Sequence, residues 1–286
     1  MENIIKLKNV KFSYEDKKIF DKFDLNIRKG SFTSIIGPNG SGKSTLMKLI
    51  VGLYKAEGTI EVDGVKISEE TYKEVRSKIG FVFENPDNQF VAETVMDEIA
   101  FALENMNYDK KLIRERVKEV GQLLDIESIM EKEPHSLSGG QKELVALASA
   151  FATHPKILVL DEALDMIDNN RRDDVLKVLT DLNKKGLTII NITHNSEELL
   201  YGDQIIVMNE GKIQDQGETK ELLRKEKLFK NNGLELPFVG TKSELINCIN
   251  VVLPLPEVPI KALTLPSCIT KLISLKATFF KGVFAL

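Results

Sequence analysis

Residues 37–45 of this chain read Gly-Pro-Asn-Gly-Ser-Gly-Lys-Ser-Thr, a glycine-rich segment that ends in a lysine and two hydroxyl residues. A short apolar run at 32–36 precedes the segment, and apolar residues at helical spacing follow it at 46–53. A strand, a glycine loop and a helix start in this order leave backbone N–H groups free to surround a phosphate. The spacing matches a nucleotide phosphate-binding loop and therefore predicts an α/β fold built around it.

Two residues of this loop can be assigned chemical roles. Lys43 is expected to reach the outer phosphates of ATP, and the Ser44 hydroxyl is expected to bind Mg²⁺. A glycine-rich turn between a strand and a helix is also common in doubly wound sheets, but the Lys-Ser-Thr ending disfavours that purely structural interpretation. The predicted ATP-binding residues of the loop are Gly37, Pro38, Asn39, Gly40, Ser41, Gly42, Lys43, Ser44 and Thr45.

A second segment places two carboxylates directly after an apolar run. Residues 156–160 have the length and composition of a buried parallel strand, and Asp161 and Glu162 follow. Because charges at a buried strand end are costly, we expect Asp161 to hold Mg²⁺ through water and Glu162 to polarise the attacking water. An Asp-Glu pair is also common where a chain leaves a sheet edge. The catalytic interpretation is favoured because a phosphate-binding loop lies upstream of the pair.

The third segment, Leu-Ser-Gly-Gly-Gln at 137–141, precedes an apolar helical stretch. Ser138 is well placed to cap that helix, and the glycines leave N–H groups open to an anion; the alternative is a plain helix cap. Together the three segments resemble the ATP-binding subunits of ABC transporters, over roughly residues 4–236. The resemblance implies a P-loop NTPase of ABC type: a mixed sheet core, an antiparallel β lobe, and a helical insert at about 91–152.

The resemblance also implies an ATP site shared between two chains that face head to tail. Each ATP would lie between residues 37–45 of one chain and the signature segment of the other. The signature residues implied to contact ATP are Ser138, Gly139, Gly140 and Gln141.

Single positions can be matched to the family as well. Tyr14 matches the aromatic residue that stacks on adenine, although an ordinary residue of an alternating edge strand is the alternative. His194 matches the histidine that contacts the γ-phosphate, and Asp168 matches an aspartate of the loop that crosses the dimer interface. His135 and His154 match nothing catalytic and are expected at the surface or at helix caps. The implied catalytic residues are Glu162, His194 and Lys43.

Four positions depart from the family pattern. Glu84 stands where the family has a magnesium-sensing glutamine, and a carboxylate there adds negative charge beside a triphosphate. Glu143 and Leu144 replace a glutamine and an arginine, and Asp165 replaces a serine of the crossing loop. These changes leave open an alternative function, a catalytically impaired ATP-binding regulatory subunit. The predicted metal-binding residues are Ser44, Glu84 and Asp161.

The stretch at 85–101 indicates a particular subgroup of the ABC transporter ATPases. Asn-Pro-Asp-Asn-Gln-Phe at 85–90, followed by Glu-Thr-Val and Asp-Glu-Ile-Ala-Phe, looks like the ATPases of energy-coupling factor transporters, which import vitamins and transition-metal ions. This resemblance places Gln89 on a surface that docks a membrane subunit, whereas turn chemistry alone would also explain Asn-Pro-Asp-Asn. The implied partners are a second ABC ATPase chain, identical or paralogous, a polytopic membrane coupling subunit and a substrate-binding membrane subunit.

Charge and hydropathy argue against other classes. The formal net charge of −4 disfavours a nucleic-acid protein, whose domains are normally basic. No run of about twenty apolar residues occurs, so we expect peripheral attachment to the cytoplasmic face of the cell membrane through partners. A soluble ABC protein acting on DNA or ribosomes would show long coiled coils or tandem ATPase units. The two cysteines, Cys248 and Cys268, suit a reducing compartment.

Periodicity predicts the remaining elements. Antiparallel strands are expected at 4–30, beginning with an alternating segment typical of an edge strand, and a hairpin at 58–64. The insert should be mainly helical, with an amphipathic helix at 109–124. Further elements are predicted as strands at 156–160, 187–193 and 204–208 and a helix at about 170–184.

The chain changes character after the ATPase domain predicted at 1–236. Five of nine prolines and both cysteines fall in the tail at 237–286, where acidic residues nearly vanish. Its Pro-broken segments cannot continue a helix or occupy a central strand. The family has a charged helical region after a Leu-Pro-Phe like that at 236–238. Either this tail is a true variant, or the reading frame has shifted near residue 240.

Overall fold

Ten strands form two sheets within residues 2–237, the part of the chain that the computed structural model describes. Apart from Pro237, the tail predicted at 237–286 lies outside the described residues. The strands are β1 (Asn3–Tyr14), β2 (Lys17–Arg28), β3 (Phe32–Ile36), β4 (Glu57–Val62), β5 (Val65–Lys66), β6 (Ile79–Val82), β7 (Ile157–Asp161), β8 (Thr188–Ile192), β9 (Gln204–Asn209) and β10 (Lys212–Glu218). The helices are α1 (Lys43–Ile50), α2 (Tyr72–Ser77), α3 (Val95–Glu104), α4 (Lys110–Leu123), α5 (Gly139–Ala152), α6 (Asn169–Lys184), α7 (Thr219–Leu222) and α8 (Glu226–Asn231).

The first sheet is antiparallel, with the strand order β2-β1-β4-β5. The predicted strands at 4–30 and the hairpin at 58–64 are confirmed. The prediction of an edge strand at the N-terminus is wrong, because β1 pairs with β2 on one side and β4 on the other. An alternation of apolar and polar residues indicates only that one face of the strand is buried, and Ile5 and Leu7 lie on that face. A central strand of an antiparallel sheet shows the same pattern as an edge strand.

The second sheet is mixed, with the order β10-β9-β3-β8-β7-β6, and β10 is its antiparallel edge. Every residue of β3, β7 and β8 is buried, which explains why their sequences are mostly apolar. Because these three neighbouring strands are parallel, the loops that follow their carboxyl ends lie side by side. The phosphate loop after β3, the carboxylates at the end of β7 and the His194 segment after β8 therefore meet at one edge.

The insert between the two parts of this sheet is mainly helical, as predicted. Asp109 caps α4 by accepting the Lys111 and Leu112 N–H groups, at 2.9 and 3.0 Å, so the amphipathic helix begins where the sequence predicts. Helix α5 begins at the signature segment and packs against α3, α4 and β6. None of the described helices is long and apolar enough to cross a membrane.

Candidate active site

The phosphate loop joins β3 to α1 through glycines whose backbone shapes other residues rarely adopt. Gly40 has φ 79° and Gly42 has φ 101°, both in the left-handed region. A side chain at Gly37 would collide with the Met208 carbonyl on the neighbouring strand β9. The glycine spacing seen in the sequence is therefore required by the path of the loop.

Lys43 lies folded over this loop. Its ammonium donates hydrogen bonds to the carbonyls of Gly37, at 2.7 Å, and Pro38, at 3.2 Å. Burial lowers the pKa of Lys43, while the carboxylates of Glu162, Asp161 and Glu84 act in the opposite direction. A partly desolvated cation at this point can exchange its carbonyl partners for phosphate oxygens.

Ser44 and Asp161 meet beside the loop. The Ser44 hydroxyl donates to Asp161 Oδ1 at 3.0 Å, and Asp161 is 3% exposed. Burial raises the pKa of Asp161 to about 6, with smaller contributions from the carboxylates of Glu162 and Glu84. A hydroxyl and carboxylates are the hard oxygen ligands that Mg²⁺ prefers, so the three predicted metal-binding residues fit this ion.

Glu162 and His194 face the same cavity of about 740 Å³, which the start of the phosphate loop also lines. The Glu162 N–H donates to the Ile192 carbonyl at 3.0 Å, and its φ of 52° turns the residue out of β7. His194 Nδ1 lies 3.4 Å from a Glu162 oxygen and 3.5 Å from an Asp165 oxygen. Ligand atoms of these three side chains lie within 4.8 Å of one another, close enough to contact one cation.

Tyr14 stands beside the start of α1 with its ring partly exposed. Its hydroxyl lies 3.4 Å from Thr45 Oγ1, and Phe12 and Tyr54 meet it edge-on at 4.9 and 5.5 Å. The ring is thus held in place next to the phosphate loop, as stacking on a base requires.

The signature segment lines a different cavity, of about 630 Å³, together with Asp168 and Arg171. Ser138 caps α5 through a reciprocal pair: its N–H donates to the Gln141 side chain at 3.1 Å, and its hydroxyl accepts the Gln141 N–H at 3.4 Å. Within the described residues, the signature segment does not line the cavity at the phosphate loop. The two segments therefore lie at separate places on one protomer.

Comparison with known proteins decides the family. A model of the ABC transporter family matches residues 20–165. The energy-coupling factor transporter ATP-binding protein EcfA1 of Leuconostoc mesenteroides is 44% identical over 244 residues, which cover 84% of this chain and 90% of that protein. The chain belongs to the ABC transporter ATP-binding family. The corresponding EcfA of Pediococcus pentosaceus is 43% identical over 243 residues, covering 83% of this chain and 87% of that protein.

Solved structures agree with this assignment. CbiO1 of Clostridium perfringens, part of the ABC transporter complex CbiONQ, superposes with a TM-score of 0.72 at 34% identity, covering 83% of this chain and 97% of that one. The ATP-binding cassette MJ0796, a dimer bound to ADP and Pi after hydrolysis, gives 0.69 at 29% identity, covering 75% and 98%. The predicted ABC-type fold is confirmed, and this chain is an ABC ATPase.

Two departures of this ABC ATPase from the family pattern are buried inside the protomer. Glu143 is 1% exposed, and both of its carboxylate oxygens accept the Met166 N–H, at 3.0 and 3.1 Å. Leu144 is 4% exposed and belongs to the core of the insert. Glu143 thus adds no charge to the surface, and Leu144 lines the inner side of the cavity at the signature segment. His135 and His154 are exposed, as predicted.

The buried Glu143 makes the stability of this ABC ATPase depend on pH. Burial raises the pKa of Glu143 to about 7, and Asp165 adds to this, whereas the Met166 N–H and Arg172 oppose it. The native state binds more protons than the unfolded state between the two pKa values, so stability falls as pH rises from about 4.5 to about 7. We expect Glu143→Gln to reduce the change in the free energy of unfolding between pH 5 and pH 8 by up to about 3 kcal/mol. Urea unfolding across this pH range measures the change. An unchanged dependence would show that Glu143 ionises normally.

Proposed function

We propose that this chain is the ATP-binding and hydrolysing subunit that powers an energy-coupling factor importer for vitamins or transition-metal ions. The observation that carries the proposal is the meeting of Glu162 and His194 at the cavity that the start of the phosphate loop lines, with Lys43 bonded to carbonyls of the same loop. The similarity to energy-coupling factor ATP-binding proteins over most of the chain supports the transporter class.

In the proposed reaction, each group acts where the fold holds it. The loop N–H groups and Lys43 bind the phosphates, and Tyr14 orients the nucleotide through its base. Glu162 polarises a water molecule for attack on the γ-phosphate, and His194 contacts the same phosphate from the end of β8. Mg²⁺ held by Ser44, Asp161 and Glu84 would neutralise phosphate charge.

The proposed assembly is a head-to-tail pair of ATPase chains, identical or paralogous. Each ATP would lie between residues 37–45 of one chain and the signature residues 138–141 of the other. The separation of these segments into two cavities of one protomer supports this arrangement. ATP binding would close the pair, and hydrolysis would open it.

The pair would act on a polytopic coupling subunit and a substrate-binding subunit in the membrane, with this chain peripheral on the cytoplasmic face. The turn at 85–89 is the proposed docking surface, with Gln89 at its end. Asp87 accepts a hydrogen bond from Lys142 of α5 at 2.7 Å, which ties this turn to the signature helix. Val91, just beyond, is 67% exposed and offers apolar surface to a partner.

Copurification tests the proposed function. The full-length chain, carrying an affinity tag, is isolated from detergent-solubilised membranes of its own cells, and copurifying proteins are identified by mass spectrometry. We expect an ABC ATPase partner and a polytopic membrane protein in fixed ratio with the chain. Recovery of the chain alone, or with ribosomes or DNA, would rule out the importer assignment.

Glu84 gives a separate prediction about the rate of the proposed transporter. At about 5 Å and an effective dielectric constant near 20, one added negative charge beside the triphosphate costs roughly 3 kcal/mol before screening. We therefore expect Glu84→Gln to raise ATP turnover of the assembled complex. Phosphate release at saturating ATP and Mg²⁺ measures the change. Lower turnover in an intact Glu84→Gln complex would make Glu84 an adapted catalytic or coupling residue.

A further inference from the structure

One loop of the chain borders both cavities described above. The crossing loop, residues 164–168 between β7 and α6, sends Asp165 into the cavity beside the phosphate loop. Its next three residues line the cavity of the signature segment. In the head-to-tail pair, the first cavity would hold the chain's own ATP, and the second would face the ATP of the partner. The position of this loop therefore affects two ATP sites.

Glu143 holds the Met166 N–H in the middle of this loop. It lies on α5, two residues after the signature segment, and both of its oxygens accept the Met166 N–H, at 3.0 and 3.1 Å. A backbone donor of a surface loop is thus fixed to the signature helix by one buried side chain.

Arg172 holds the carbonyl groups of the same loop. Its guanidinium donates to the carbonyls of Leu164 at 3.0 Å, Asp165 at 3.3 Å and Ile167 at 2.9 Å. Glu143 and Arg172 therefore take opposite polar groups of the loop, one from α5 and the other from α6. Three hydrogen bonds from one planar fork leave the loop little freedom to change shape.

Close packing adds to these hydrogen bonds. A side chain at Gly140 would lie 2.9 Å from the Met166 carbonyl oxygen and 3.3 Å from Ile167 Cα. At Gly139 it would approach the Met166 sulfur at 2.7 Å. The start of α5 thus rests directly on the crossing loop, and the signature N–H groups cannot shift far without moving it.

We propose that Glu143 is a positioning residue for ATP hydrolysis, which fixes the crossing loop to the signature helix so that the two ATP sites of the pair stay in register. Glu143 does not contact the reacting atoms at either ATP site and acts through the backbone of the crossing loop. Arg172 holds the same loop from α6. This proposal rests on the proposed function, because it concerns ATP turnover by the assembled pair.

Residue chemistry predicts how substitutions at this position differ. Alanine leaves the Met166 N–H without its acceptor, whereas glutamine keeps one acceptor oxygen of nearly the same reach. Arg116→Ala is a matched control, since Arg116 is also a buried charged residue and donates to the Phe151 and Ala152 carbonyls at the far end of α5, at 2.8 and 3.0 Å. Both alanine variants lose buried hydrogen bonds to the backbone, but only Glu143→Ala frees the crossing loop.

The experiment compares Glu143→Ala, Glu143→Gln and Arg116→Ala in the full-length chain purified with its partner subunits. Steady-state kinetics give kcat and KM for ATP, and hydrogen–deuterium exchange reports on amides 164–168. For Glu143→Ala we expect kcat to fall about tenfold or more, with KM nearly unchanged and faster exchange in the loop, because misplacement by about 1 Å can cost a hundredfold. Glu143→Gln should restore most of the rate, and Arg116→Ala should keep kcat while losing thermal stability.

Three results would overturn the proposal. They are unchanged kcat and unchanged loop exchange in Glu143→Ala, equal losses of kcat in Glu143→Ala and Arg116→Ala, or no rescue by Glu143→Gln. Should Glu143→Ala fail to fold, Arg172→Lys tests the other side of the loop, because lysine keeps the charge but loses the planar fork; an unchanged kcat there would also reject the proposal. The absence of ATP turnover in the wild-type complex would instead contradict the proposed function.

Discussion

Replacement of Glu162 by glutamine should lower ATP hydrolysis about a hundredfold or more while ATP still binds. Glu162 is fixed at the end of β7 by its N–H bond to Ile192 and faces the cavity beside the phosphate loop. A carboxylate there assists the attacking water in the transition state and adds little to the affinity for ATP, so its removal affects kcat more than binding. Phosphate release and the equilibrium binding of ATP, measured on the same preparation, separate the two effects.

Glu197→Gln is the matched control for this experiment. Glu197 is exposed and follows His194 by three residues, so the control makes the same chemical change close to the site without touching the cavity. We expect it to hydrolyse ATP like the wild-type chain. Near-normal hydrolysis in Glu162→Gln would remove Glu162 from the proposed mechanism.

The second large effect is expected at Lys43, where alanine should weaken ATP binding itself. Lys43 is 5% exposed and is the cation that the structure places over the phosphate loop, held by the Gly37 and Pro38 carbonyls. Loss of a charge-assisted hydrogen bond in such a setting is worth roughly 1.5–3 kcal/mol, so the Kd for ATP should rise roughly tenfold to a hundredfold. Isothermal titration calorimetry with ATP measures this change directly.

Lys55→Ala serves as the control, because it makes the same change of net charge at an exposed lysine paired with Glu69 outside the cavity. Its Kd for ATP should match that of the wild-type chain. An unchanged Kd in Lys43→Ala, with the fold intact, would show that the phosphates bind elsewhere.

The sequence predicts the site well where the fold leaves a local pattern. The runs at β3, β7 and β8 are mostly apolar because both faces of each strand are buried. The residues that follow them meet because parallel strands end at one edge. Gly40 and Gly42 are similarly local, since they reflect the φ angles of the loop itself, whereas Gly37 is required by the Met208 carbonyl on β9.

Other features depend on contacts between distant segments and have no local pattern. Residues Glu143 and Met166 are 23 positions apart, and Glu143 stands next to Lys142 near the polar start of α5, where a charged residue is expected at the surface. Arg172 is close to the crossing loop in sequence, but the sequence does not indicate that its guanidinium donates to three carbonyls of that loop. The sequence also predicts β1 as an edge strand, whereas it lies between β2 and β4. The alternation of apolar and polar residues does not indicate how many neighbouring strands a strand has.

ATP turnover of the membrane complex, with this chain as the only competent ATPase, tests the central claim most directly. The complex is purified through the tagged chain, and if its second ATPase is a paralogue, the glutamate of that chain corresponding to Glu162 is replaced by glutamine. We expect continued ATP hydrolysis that is lost when Glu162→Gln is added to this chain. Tight ATP binding without any turnover would contradict the assignment as a hydrolysing subunit and would favour the impaired regulatory alternative.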